Sequence, residues 1–215
     1  MVGSRHAAEE DLEFACRIAS HCACQRICVI SGAAKGIDSE AMLAAIDHGG
    51  KAVGVLAEGL AQASVANAHH DALLDDRLTL ISPYEPQSRW FPYTAMERNK
   101  VIYGLANAAI IVSSSDEKGG TWAGATEALK AGRIPLYVKA TGAIADGNRK
   151  LLKMGAKPLA EEPADLSVLM SANLESPAQY AMQLSFNEGG FGQSERQNLP
   201  RRHGDTESTE KADKT

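Results

Sequence analysis

Residues 27–38, ICVISGAAKGID, decide how this chain folds. An apolar run (Ile27, Cys28, Val29, Ile30) breaks into the small-residue turn Ser31-Gly32-Ala33-Ala34-Lys35-Gly36, and a helical pattern follows from Asp38. That order is strand, turn, helix. A helix start leaves backbone N–H groups without intrahelical partners and sets the positive end of the helix dipole at the turn. Gly32 and Gly36 let an anion approach the backbone closely, and Lys35 adds a full positive charge, so the turn suits a phosphate. The motif is neither the dinucleotide G-x-G-x-x-G nor a P-loop, and a plain structural connection is the other reading of it. Asp38 reads as a residue that caps or charges the helix start.

Working outward, other punctuated turns accompany this one. Val2-Gly3-Ser4-Arg5 opens the chain ahead of a helical pattern. Gly119-Gly120-Thr121 follows the apolar run 108–112 and precedes another helical stretch. Phe91-Pro92 and Glu97-Arg98-Asn99-Lys100 precede the helical residues 101–105. In an open α/β sheet such turns meet beyond the carboxyl ends of the strands, where ligands bind.

The hydrophobic pattern predicts strands over 27–30, 52–57, 78–82, 108–113 and 134–138. Helices are predicted over 7–21, 39–48, 68–74, 99–105, 122–131, 148–154 and 163–170, and the proline-rich 83–95 reads as a structured loop. Alternation of strand and helix means an α/β domain with a mostly parallel sheet. Residues 1–175 read as this domain, and 176–215 as a linker and disordered polar tail. From 186 on, only Phe186, Phe191 and Leu199 are large and apolar, too few to offset the entropy of ordering.

The chain has 215 residues and a formal net charge of −5. Residues 1–185 carry 17 Lys/Arg against 21 Asp/Glu, so the tail does not hide a basic body. Broad, non-specific nucleic-acid binding is therefore disfavoured, and any such binding must rest on a local cluster. Arg5, Lys35, Arg98 and Lys100 are the candidates. Two residues apart on a helix, Arg98 and Lys100 do not share a face. No apolar run is long enough to span a bilayer and no signal-peptide pattern is present, so the expected location is cytoplasmic. Cys16, Cys22, Cys24 and Cys28 are spaced C-x5-C-x-C-x3-C, unlike the paired C-x-x-C of zinc sites, and read as buried free thiols rather than metal ligands.

Seven segments in order, VGSR, SGAAKGID, GKAVGVLAEGL, LISPYEP, FPYTAMERNKVIYGLANAAIIV, GGTWAGATEALKAGRIPLYV and GNRKLLKMGAKPL, resemble the DNA-processing protein A (DprA/Smf) family across roughly residues 2–160. The resemblance implies an extended Rossmann-like fold, with helices on both faces of the sheet, that binds single-stranded DNA for recombination or natural transformation. It implies a DNA or phosphate site built from Gly3, Ser4, Arg5, Ser31, Gly32, Lys35, Gly36, Arg98, Lys100, Gly119, Gly120 and Thr121. A RecA-type recombinase and a second copy of the chain are implied partners. No catalytic residue, metal or cofactor is implied.

The chain departs from the family pattern in two places. Only Met1 and Val2 precede the first turn, where a buried strand takes four or five apolar residues, so a shortened strand or a start further upstream is expected. The family's F-P-x-R-N-R element appears as FPYTAMERNK, with three extra residues that change its pitch. Trp122, Phe91 and Tyr93 offer ring faces to a base, with core packing as the alternative. The competing function is a nucleotide-binding domain or a nucleoside-monophosphate phosphoribohydrolase of the related cytokinin-activating family. It would need Glu127 as its carboxylate, but GGTWAGATE breaks the expected G-G-x-G-T-x-x-E spacing.

Overall fold

A computed structural model describes residues 1–63, 67–159 and 164–171. Met1–Asn173 form one compact unit. The predicted tail lies outside the described residues.

Seven helices and six strands alternate along the described chain. They are α1 (Glu9–Cys24), β1 (Val29–Ser31), α2 (Ile37–Asp47), β2 (Ala52–Val55), α3 (Asn67–Leu74), β3 (Leu78–Ile81) and α4 (Pro92–Leu105). After them come β4 (Ala109–Ile111), α5 (Gly119–Ala131), β5 (Leu136–Lys139), α6 (Asp146–Lys153), β6 (Lys157–Leu159) and α7 (Ser167–Ser171). Every strand pairing is parallel. β1, β2 and β3 form one ladder, and β4, β5 and β6 form another.

Val2 joins the two ladders. It bridges Ile111 in parallel, donating to the Ile110 carbonyl at 3.0 Å and accepting from the Val112 amide at 3.1 Å. On the other side the Met1 nitrogen reaches the Ile30 carbonyl at 2.6 Å, and Ser31 Oγ donates to the Met1 carbonyl at 2.6 Å. Met1–Val2 therefore runs between β1 and β4, and the sheet order is β3-β2-β1-(Val2)-β4-β5-β6. From Val2 the chain winds outward one way through α1 and β1. It returns through α4 to β4 on the other side. The switch point of the sheet lies at Val2, as in doubly wound folds.

Alternation in the strands sorts the core into two faces. Ile110, Val112 and Tyr137 pack with Phe14, Ile18 and Ile37 under α1 and α2. Ala109, Ile111, Leu136 and Val138 pack with Ile102, Ala125 and Leu151 under α4, α5 and α6. Helix ends follow local chemistry. Glu9, Glu10 and Asp11 fill the first turn of α1, and α5 stops at Gly132, whose φ is 61°.

The sequence reading and the structure differ most around α4. Residues 83–95 were expected as loop and 99–105 as helix, but α4 starts at Pro92. Proline at the first helical position costs no hydrogen bond, and the Phe91 amide donates to Thr94 Oγ1 at 3.1 Å. The three extra residues of FPYTAMERNK are thus absorbed into helix, and Arg98 falls on its second turn. β6 lies where no strand was predicted: it is a three-residue strand that, among the described residues, pairs with β5 on one side, an edge position where Pro158 is tolerated. Among the four thiols, only Cys22 is buried, with burial pushing it up to about 11. Cys24 and Cys28 are exposed, against expectation: Cys24 ends α1 and Cys28 precedes β1. Among the described residues no helix is long and apolar enough to cross a membrane, and no cluster of three His, Cys, Asp or Glu could hold a metal.

Candidate functional site

A cavity of about 350 Å³ opens at the switch point, beyond the carboxyl end of Val2. Four chain segments build it, one of them the turn into α2 with Ala34 and Asp38. Gly3, Ser4 and Arg5 follow the bridge, Gly119, Gly120 and Thr121 start α5, and Pro92, Ala95 and Met96 come from the first turns of α4. Thr121 Oγ1 donates to the Gly3 carbonyl at 3.0 Å, and Asn99 Nδ2 donates to the Gly120 carbonyl at 3.0 Å. These two bonds fix the start of α5 against the Gly3 turn and α4. Among the described residues no acceptor takes the Gly119, Gly120 or Thr121 amides at the α5 N-terminus, and these residues line the cavity.

Two exposed cations line the same cavity. Lys118 is the N-cap residue of α5, and Arg5 stands across from it on the first turn. The Arg5 guanidinium lies 5.5 Å from the ring centroid of Trp90, a cation–π contact at the mouth. The acidic neighbours Asp116 and Glu117 are engaged elsewhere, by Lys150 at 2.6 and 2.9 Å. The site is locally positive within an acidic chain.

Behind the cavity lies a buried polar layer. Asp38 accepts from the Gly3 amide at 3.2 Å and from the Gly32 amide at 3.1 Å. Burial pushes its carboxyl above the ordinary value, while the Arg98 guanidinium beside it and those two amides oppose the push. Arg98 is only 4% exposed, and its Nη1 donates to the Val55 carbonyl at 3.0 Å. Burial lowers its pKa from the ordinary value, with Asp38 opposing. Its Nε and the Tyr103 hydroxyl have no hydrogen-bond partner among the described residues. A Cβ on residue 32 would strike the Arg98 guanidinium, so glycine is required there.

The structure brings together Gly3, Ser4, Arg5, Arg98, Gly119, Gly120 and Thr121. It places the other expected site residues off the lining. Ser31 is fully buried and its hydroxyl serves Met1. The Gly32 amide is taken by Asp38, and the Ile37 amide faces the Ser4 carbonyl at 3.4 Å. Internal acceptors therefore take two amides of the turn that the sequence marked as a phosphate cradle, while Ala34 of that turn and the start of α5 both border the cavity. Gly36, with φ at 91°, packs against the Ser4 and Arg5 backbone. Lys35 is exposed next to the lining residue Ala34. Lys100 points to the outer face of α4 and pairs with Glu127 at 3.4 Å. Glu127 is thereby placed outside the cavity, and Trp122 is half-buried against the core.

Sequence reasoning missed Trp90 and Lys118. Trp90 sits two residues and Lys118 one residue before a helix start that the sequence placed too late, so neither was seen at a turn. A second cavity, about 480 Å³, lies among the amino-terminal ends of β1 and β4 and is bordered mostly by apolar residues such as Ile27, Ile110 and Leu166. It carries no comparable convergence of cations.

The sequence matches the family model of DNA recombination-mediator protein A over residues 1–170. The DNA processing protein DprA of Streptococcus pneumoniae (strain ATCC BAA-255 / R6) is 32% identical over 133 residues, covering 60% of this chain and 46% of that protein. DprA of Bacillus subtilis (strain 168) is 30% identical over 137 residues, covering 61% of this chain and 45% of that one. The chain thus spans less than half the length of these curated relatives. Among solved structures, S. pneumoniae DprA superposes with a TM-score of 0.66 at 23% identity, over 78% of this chain and 60% of that one. Helicobacter pylori DprA, solved for its single-stranded DNA binding mode, gives 0.63 at 20% identity, over 87% and 79%. A molybdenum cofactor binding protein from Rippkaea orientalis gives 0.56 at 15% identity, over 79% and 92%. These structural likenesses speak to the Rossmann-like fold.

Proposed function

The chain belongs to the DNA recombination-mediator protein A family, and from that premise we propose that it binds single-stranded DNA in the switch-point cavity. One observation carries the reading: Arg5, Lys118 and the amino terminus of α5 converge on a single cavity of an otherwise acidic chain. Phosphate oxygens are held by the two cations and by the free amides at Gly119–Thr121. Arg5 offers two donors to one phosphate, and Lys118 adds a point charge. An unpaired nucleotide can turn its base into the cavity, whereas a duplex keeps its bases paired and stacked.

The role is binding rather than catalysis. Asp38 is the single carboxylate on the cavity lining among the described residues, and it is already held by two backbone amides. Glu127, which a phosphoribohydrolase would need, is paired with Lys100 outside the lining. Handling of DNA for recombination or natural transformation follows as the biological role. The implied partners are a RecA-type recombinase and a second copy of the chain. A strictly monomeric mass in light scattering and no effect on recombinase loading would remove both partners.

Fluorescence anisotropy tests the binding step, using labelled oligo-dT, a matched duplex and adenosine monophosphate at two salt concentrations. Oligo-dT is expected to bind more tightly than duplex, with affinity falling as salt rises. Equal affinity for single strand and duplex would overturn the proposal, and release of free base from the monophosphate would move it to the enzymatic reading.

A further inference from the structure

Trp90 is exposed where an indole has reason to be covered. Large aromatic side chains bury well over 100 Å² in cores and interfaces. Trp90 nevertheless keeps 42% of its surface exposed. It also lines the cavity, and its ring carries the Arg5 guanidinium at 5.5 Å. The ring and the foremost phosphate-binding cation are thus held in fixed relation.

The backbone under the ring is rigid. Trp90 immediately precedes Phe91, the N-cap of α4, whose amide donates to Thr94 Oγ1. Thr94 Oγ1 in turn donates to the Ala57 carbonyl at 2.7 Å, which ties the helix start to the loop after β2. Pro92 fixes the next φ. Beyond Trp90 the aromatic surface continues: Phe91 and Tyr93 stack with centroids 5.4 Å apart, and they are 46% and 60% exposed. A preorganised aromatic face beside a cationic phosphate site is the arrangement that single strands use, because every base has a π face.

We propose that Trp90 is the stacking platform for a nucleobase of the bound strand, set at the cavity mouth so that the base adjoining the phosphate on Arg5 lies against its indole. This inference rests on the single-strand reading of the cavity. It adds a residue that sets how the strand is held and that acts on the base, not on the charge.

The test compares wild type, Trp90→Ala and Trp90→Phe against oligo-dT and against an abasic strand of the same length, by anisotropy and by tryptophan fluorescence. Trp90→Ala is expected to weaken oligo-dT roughly 5- to 100-fold, the range for one stacked base. It should leave the abasic strand and the salt slope unchanged, because no phosphate contact is lost. Trp90→Phe keeps a ring and should restore affinity to near the wild type. Part of the fluorescence quenched on binding should vanish in Trp90→Phe, leaving only the response of Trp122. Wild-type affinity for oligo-dT in Trp90→Ala, with wild-type binding intact, would overturn the stacking role alone. Equal losses for oligo-dT and abasic strand would also overturn it, since Trp90 would then merely hold Arg5. Failure of wild type to bind either strand would overturn the cavity reading as well. Thermal melts of both variants should match wild type, as an exposed ring leaves no core void.

Discussion

Replacing Gly32 with alanine should destabilise the fold by about 3–5 kcal/mol, although it adds a single methyl group. The ideal Cβ position overlaps Arg98 Nη1 and lies 2.5 Å from Asp38 Oδ2. Arg98 is 4% exposed and anchored to the Val55 carbonyl at 3.0 Å, so its guanidinium can give way only by breaking that bond and moving toward the cavity. Overpacking of this kind costs about 1–3 kcal/mol. Displacing a charged donor from its acceptor costs about 1.5–3 kcal/mol more. For a domain of this size about 2–4 °C is lost per kcal/mol, which gives a melting temperature lower by about 6–20 °C. Circular dichroism melts, with urea titration alongside, would read the effect. Arg98→Ala alone removes the cation beside buried Asp38 and the charged hydrogen bond to the Val55 carbonyl, and should cost about 1.5–3 kcal/mol for the lost bond. In that background the collision with Arg98 is gone and only the close approach to Asp38 Oδ2 remains, so adding Gly32→Ala should cost less than it does in the wild type, a departure from additivity. A single Gly32→Ala variant that melts with the wild type, or two costs that simply add, would refute this account of the layer behind the cavity.

Arg5→Ala and Lys118→Ala should each weaken oligo-dT binding without lowering the melting temperature, and each should reduce the log–log salt slope by about 0.7, as for one phosphate contact on a single strand; unchanged slopes in both would remove the phosphate site. Lys35→Ala should fall between these and the surface control Lys130→Ala, because Lys35 stands beside the lining and not in it; a loss larger than that of Arg5→Ala would return the phosphate cradle to the first turn. The Glu10 carboxyl is held below its ordinary value by the Ala143 amide and then by Lys139. A depressed pKa stabilises above the unfolded value of 4.5 and is lost as pH falls through the folded one. The gap in melting temperature between wild type and Glu10→Gln should therefore be present at neutral pH and close in acid, and a gap that widens in acid would contradict the assignment.

Much of the architecture was legible from local pattern. Strand, small-residue turn and helix recur at Ser31–Gly36 and at Gly119, and buried strands with period-two packing follow from those runs. The start of α4 was hidden because Pro92 and Thr94 act through a cap geometry that hydrophobic periodicity does not register. The same hidden start concealed Trp90. The site was half legible: Arg5, Gly119, Gly120 and Thr121 meet at the cavity as the turns suggested. At the Gly32 turn the sequence did not show that Asp38, read as a helix-start residue, turns back to take the Gly32 and Gly3 amides. A carboxylate that closes an anion cradle from within looks, in sequence, like any acidic first turn. Arg98 and Lys100 illustrate the opposite case, since helical spacing alone separates the buried residue from the outward one.

The central claim is that single-stranded DNA lies in the switch-point cavity, and photo-cross-linking places the strand directly. An oligonucleotide carrying 5-iododeoxyuridine should be irradiated with the full chain, and the adducts mapped by mass spectrometry. The account predicts adducts in the peptides that hold Trp90 to Met96 and Gly119 to Trp122, suppressed by excess unlabelled oligo-dT and reduced in Arg5→Ala. Adducts confined to the apolar cavity near Ile27 and Ile110, or spread evenly over the chain without response to competitor, would contradict it.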